Sequence, residues 1–126
     1  KESGLRKILN FGHTIGHAVE LLSDFKIPHG RAVGIGMIVE TLISEKIGIL
    51  NSKDKERILK LIDKSELLDI SFKFPSDEII KKTILDKKSR NGIVEYSLVK
   101  GIGDAFYEIT VEDKIIKESL LEAGFE

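Results

Sequence analysis

The chain contains no cysteine among its 126 residues. Disulfides and thiolate metal ligands are therefore excluded, which fits a reducing compartment such as the cytoplasm, and any metal site must use His, Asp or Glu. Charge of one sign is not in excess either: 20 basic and 21 acidic residues are interspersed and leave a net charge of -1. That gives no electrostatic footprint for a phosphate backbone or an anionic membrane, so neither nucleic acid nor membrane is expected as a partner. Long apolar runs are missing as well. The longest, Ala32 to Val39, stops at Glu40 and falls far short of the ~20 residues needed to span a bilayer. Nothing at the N-terminus reads as a signal peptide, and there is no internal repeat or low-complexity tract.

What is present is ordinary for a globular domain. Hydrophobic residues make up 41% and charged residues 33%, enough for one domain with a real core. The chain begins at Lys1 rather than Met and runs into a functional-looking helix within a few residues, so a fragment of something larger is expected.

The hydrophobic periodicity predicts a mainly α fold, a multihelical bundle with one small β-hairpin. A first helix is expected over about Gly4 to Leu22, uninterrupted by proline, with Gly12 and Gly16 in its apolar sector where a neighbouring helix can approach closely. Pro28 marks a connection, and a second helix follows over about Arg31 to Gly48. Its first half is apolar nearly all round, so it should be central and buried. A third helix is expected over about Lys53 to Lys64 with Ser52 as N-cap, and a fourth from Ser76, also an N-cap candidate, to about Lys87. Asn91-Gly92 signals a turn. Strand-like runs at Ile93 to Val99 and Ala105 to Ile109 predict the hairpin. Thr110-Val111-Glu112-Asp113 resembles a capping box opening a last helix to about Leu121.

All three histidines lie early in the chain: His13, His17 and His29. At roughly 100° per residue, Arg6, Asn10, His13, His17 and Glu20 fall within about 80° of one helix face, because their spacing runs 4, 3, 4, 3. His13 and His17 match the i, i+4 geometry of helical zinc sites, but Thr14-Ile15-Gly16 between them leaves no glutamate for a metalloprotease motif. Two histidines on a helix are on their own more often structural or surface groups than ligands. Arg6 and Asn10 shift that balance, since a guanidinium and an amide suit an anionic, polyhydroxylated ligand. His29, standing before a buried helix, shifts it further. Glu20, a further turn along, reads as a solvated residue. Lys87 and Lys88 read as answers to the dipole at a helix C-terminus, and Gly101-Ile102-Gly103 reads as a hairpin connection, too short for a dinucleotide fingerprint.

Two longer motifs resemble the signature of the 3-dehydroquinate synthase family. They are Leu9-Asn10-Phe11-Gly12-His13-Thr14-Ile15-Gly16-His17-Ala18-Val19-Glu20 and His29-Gly30-Arg31-Ala32-Val33-Gly34-Ile35-Gly36-Met37. Asp86-Lys87-Lys88, followed by a strand and Gly101-Ile102-Gly103, is similar to a weaker element of the same family. The resemblance covers essentially the whole chain as the C-terminal helical domain, with one departure: Arg31 stands where the family usually has Glu.

The resemblance implies that residues 1–126 are one metal- and substrate-binding domain, with an NAD-binding domain outside this chain. It implies a divalent metal, zinc or possibly cobalt, on His13 and His29, with a third glutamate ligand from an upstream segment. His17 and Lys88 would be catalytic, while Arg6, Asn10 and Lys87 would bind a sugar-acid phosphate. Lys88 is favoured over Lys87 as the lysine that reaches the substrate. The family reaction converts 3-deoxy-arabino-heptulosonate 7-phosphate into 3-dehydroquinate and phosphate on the shikimate route, with NAD oxidising one carbinol transiently. Such an enzyme would be a cytoplasmic homo-oligomer, and the chain alone is expected to be inactive. A related sugar-phosphate cyclase or a metal-dependent polyol dehydrogenase is the nearest alternative. A non-catalytic helical domain is the alternative of another class.

Overall fold

The computed structural model describes residues 10–64, 74–89, 92–101 and 106–126. Within them the order is α1 (His13–Leu22), α2 (His29–Lys46), α3 (Ser52–Lys64), α4 (Ser76–Ser89), β1 (Tyr96–Val99), β2 (Phe106–Ile109) and α5 (Asp113–Ala123). The expected helical bundle with one hairpin is what forms. The strands pair antiparallel, from Tyr96 opposite Ile109 to Val99 opposite Phe106, and β1 is shorter than the expected run from Ile93 to Val99.

Helix α2 is the axle of the fold, as its all-round hydrophobicity predicts. It packs against α1, α3, α5 and β1 and buries Ala32, Ile35, Val39 and Ile43. These meet Ile15 and Val19 of α1, Ile79 of α4, Leu98 of β1 and Leu120 of α5 in one core. Each Leu- or Ile-sized side chain so buried contributes about 1.5–3 kcal/mol. Two buried hydroxyls of α2 are satisfied locally: Thr41 donates to the Met37 carbonyl at 2.6 Å and Ser44 Oγ to the Glu40 carbonyl at 2.9 Å. Ser44 Oγ also accepts the Val99 N–H at 3.2 Å, which fastens β1 to the central helix.

The expected first helix is not continuous. Asn10 is helical, Phe11 and Gly12 form a turn, and α1 starts afresh at His13. Gly12 sits at φ +83°, a left-handed conformation in which a Cβ would be strained. The break lets α1 lie directly on α2: a Cβ on Gly36 would overlap the Gly12 carbonyl oxygen, and one on Gly16 would come within 2.9 Å of the Ala32 carbonyl. Glycines on both helices thus permit backbone-to-backbone contact. Residues 4–9 of the expected helix, Arg6 among them, lie outside the described residues, as do Ala105 and most of the hairpin connection.

The caps differ from the sequence reading. Asn51, not Ser52, caps α3, its Oδ1 accepting the Asp54 N–H at 2.8 Å, while Ser52 is already helical and donates to Glu45 Oε2. Ser76 likewise belongs to its helix; its hydroxyl reaches the Glu126 carbonyl at 3.4 Å, and the Pro75 carbonyl takes the first helical N–H groups. The capping box before α5 does not form: Glu112 is the N-cap and makes no side-chain bond. Asn51→Ala should therefore cost about 1 kcal/mol in urea unfolding, and Ser52→Ala clearly less. Equal losses would show that the cap is misassigned.

Candidate functional site

Helix α1 and the start of α2 are placed by a tight connection. Ser23 Oγ donates to the Glu20 carbonyl at 2.9 Å and accepts the Ile27 N–H at 3.2 Å. Between them Asp24 and Phe25 adopt φ of 56° and 59°, unusual for residues with a side chain. The chain thereby doubles back so that His29 opens α2 beside the middle of α1.

A cleft of about 330 Å³ lies at this junction, walled by α1, the start of α2, α4 and the approach to β1. Asn10, His13, His17, His29 and Lys87 all line it, so five of the seven expected site residues share one cavity. Arg6 lies outside the described residues. Lys88 lies in α4, but its side chain is not among those described.

The His13 and His29 rings are neighbours, with centroids 5.4 Å apart and planes inclined at 59°. His13 Nδ1 lies 3.2 Å from the Phe11 carbonyl, and His29 Nδ1 lies 3.0 Å from Glu20 Oε1. His17 is turned differently: its Nε2 is 3.6 Å from Asp86 Oδ1 and its Nδ1 3.9 Å from Glu20 Oε1. The two members of the i, i+4 pair therefore have separate neighbours.

Glu20 corrects an expectation. It is 8% exposed, not solvated, and lies between His17 and His29. Lys82, Thr83 and Asp86 also line the cleft from α4; no sequence pattern singled out Lys82 or Thr83, and Asp86 stood only in the Asp86-Lys87-Lys88 element with no role of its own. Their spacing with Lys87, at 82, 83, 86 and 87, is one helical face and was the available signal. Thr14 and Glu95 belong to the wall too, the Thr14 hydroxyl donating to the Glu95 carbonyl at 3.0 Å and so binding α1 to the approach to β1.

Beneath the cleft lies a residue that no pattern singled out. Glu40 of α2 is fully buried, and its Oε1 accepts the Gly12 N–H at 2.9 Å, the amide next to His13. Burial pushes its pKa from 4.5 up to about 8, opposed by the Gly12 and Ile15 N–H groups. Its Oε2 has no hydrogen-bond partner among the described residues. Burial likewise pushes the Tyr96 phenol above its ordinary value, with the nearby Glu40 charge adding to the effect.

Residues 1–89 match the family described as 3-dehydroquinate synthase C-terminal. The chain is 39% identical over 118 residues to the 3-dehydroquinate synthase of Thermoanaerobacter pseudethanolicus, a match covering 93% of this chain and 33% of that protein. Among solved structures it is similar to a 2-epi-5-epi-valiolone synthase from Streptomyces hygroscopicus with NAD+ and Zn2+ bound, at TM-score 0.79 and 26% identity over 90% of this chain and 32% of that one. A 2-deoxy-scyllo-inosose synthase complexed with carbaglucose-6-phosphate, NAD+ and Co2+ gives TM-score 0.76 and 29% identity over 91% of this chain and 33% of that one. The chain thus spans about a third of the length of the relatives it matches. With the family's match covering most of the chain and its helical fold carrying the histidine cleft, the chain belongs to the 3-dehydroquinate synthase C-terminal family.

Proposed function

We propose that this chain is the metal- and substrate-binding part of a 3-dehydroquinate synthase, a lyase that forms 3-dehydroquinate and phosphate from 3-deoxy-arabino-heptulosonate 7-phosphate. The single observation that carries the reading is the adjacent pair His13 and His29 in a cleft that also holds His17, Asn10 and Lys87.

The donor set fits a divalent cation. A carbonyl oxygen only accepts hydrogen bonds, so the contact with Phe11 puts the proton of a neutral His13 on Nδ1 and leaves Nε2 as the ligating nitrogen. Among the described residues no three His, Asp or Glu side chains converge as a metal site; a third ligand, a glutamate from another segment, is part of the proposal. Bound there, zinc or cobalt would supply Lewis-acid polarisation of a substrate hydroxyl and NAD, held mainly by another domain, the reversible hydride transfer.

The chain's own residues bind and orient. Asn10 and Lys87 offer an amide and an ammonium to the phosphate end of a sugar acid, and Arg6 is assigned to its carboxylate. His17 contacts substrate hydroxyls and moves protons, with Asp86 behind its Nε2. Lys88 is the second catalytic group proposed. Clamping both ends of a flexible substrate in this way can contribute several kcal/mol to barrier lowering.

The test joins this chain to the N-terminal two thirds of the Thermoanaerobacter pseudethanolicus relative. The chimera should form 3-dehydroquinate from the heptulosonate phosphate, and the chain alone should release no phosphate. A chimera that instead cyclises a hexose phosphate would favour the sugar-phosphate cyclase reading, which the likeness to the two solved synthases keeps in view. A folded, metal-replete chimera inactive on both substrates would support a non-catalytic domain.

A further inference from the structure

Glu20 closes the α1–α2 connection twice. Its carbonyl accepts the Phe25 N–H at 2.9 Å and the Ser23 hydroxyl at 2.9 Å, and its carboxylate reaches across the same loop to His29 Nδ1 at 3.0 Å. The loop so closed includes the two left-handed residues Asp24 and Phe25, conformations that persist only where the surroundings over-determine them. The carboxylate is nearly buried, whereas the His29 side chain is 62% exposed. A rigid, enclosed acceptor therefore holds a ring that solvent would otherwise leave free to turn.

The other neighbour of Glu20 does not explain this placement. His17 Nδ1 is 3.9 Å from the same oxygen, beyond hydrogen-bonding distance, and its Nε2 faces Asp86. A carboxylate oxygen takes a hydrogen bond from an N–H and gives none. A neutral His29 facing it must carry its hydrogen on Nδ1, which leaves the lone pair of Nε2 for a cation.

We propose that Glu20 is a positioning residue that fixes His29 in its Nδ1–H tautomer and thereby presents Nε2 to the divalent cation. The proposal rests on the reading of His29 as a metal ligand, and its test keeps the two apart. Without Glu20 the two tautomers compete and the ring loses its anchor, so Zn2+ meets a smaller population of competent His29.

The experiment uses the 15N-labelled chain at about pH 8, where an ordinary histidine is neutral. Long-range 1H–15N correlations report the tautomer of each ring, and Zn2+ is titrated while the ring signals are followed. Metal-free His29 should be Nδ1–H in the wild type and should lose that preference in Glu20→Ala, with Zn2+ binding about tenfold weaker or more. Glu20→Gln, which keeps an acceptor of the same reach, should retain most of both. A merely structural role would lower thermal stability in Glu20→Ala and leave the tautomer unchanged, which would overturn the proposal. A wild-type ring found as Nε2–H would also overturn it, with no variant needed. His29→Ala tests the underlying ligand reading: unchanged Zn2+ binding there sinks that reading and the cation half of the proposal, while the wild-type tautomer still decides whether Glu20 holds the ring.

Discussion

Gly36→Ala is expected to cost the chain its native α1–α2 crossing. The added methyl would occupy the place of the Gly12 carbonyl oxygen and press on the Gly16 amide, so the obstruction is backbone, not a flexible side chain that could swing aside. Gly12 cannot retreat easily, because its N–H is held by Glu40 and its carbonyl accepts the Gly16 N–H at 2.9 Å. Overpacking of this kind costs roughly 3 kcal/mol or more, a large part of the stability of a small domain. Urea unfolding should show a sharp drop in midpoint or no cooperative transition at all. Gly30→Ala is the control, since a Cβ there meets nothing within 4 Å and alanine is the better helix former. If Gly36→Ala unfolds like the wild type, the close crossing that sets His13 beside His29 is wrong.

Glu40→Gln should stabilise the chain, and increasingly so as pH rises. Burial lifts the folded-state pKa of Glu40 from 4.5 to about 8, so between those values the folded chain holds a proton that the unfolded chain has released. The contribution of this group is fully present below the unfolded value and is lost as pH climbs through the folded one. Its slope is about 1.4 kcal/mol per pH unit inside that window and flattens above it. Glutamine keeps an oxygen for the Gly12 N–H but does not ionise. The stability difference between variant and wild type should therefore be small near pH 4.5, grow to a few kcal/mol by about pH 8 and then level off. Stabilities of the two proteins that keep a constant difference across this range would contradict the buried state of Glu40.

The α1–α2 crossing was partly legible in the sequence. Gly12 and Gly16 announced a close helix neighbour, the apolar run of α2 announced its central place, and three histidines near one another in sequence do share a cleft. The break at Gly12 was not legible, because it depends on Glu40, 28 residues away, and helical arithmetic assumes an unbroken helix. For the same reason Asn10 reaches the cleft by way of the turn and not along one continuous face. Glu20 looked like a surface residue since its burial comes from the fold-back of His29, a tertiary event with no local signature. The caps shifted by one residue each: Ser52 and Ser76 joined their helices and spent their hydroxyls on Glu45 and Glu126. Lys82, Thr83 and Asp86 were readable as a helical face, but a polar helical face is most often solvated and only the packing of α4 beside α1 gives it a cleft to line.

The division of labour among the histidines is the centre of the account, and zinc content tests it most directly. In the chimera with the longer relative, purified with zinc and measured by elemental analysis, His13→Ala and His29→Ala should each lose the metal and the activity together. His17→Ala should keep its full zinc while activity falls by roughly 100-fold or more. Full zinc retained in His13→Ala, or zinc lost from His17→Ala with the fold intact, would contradict it.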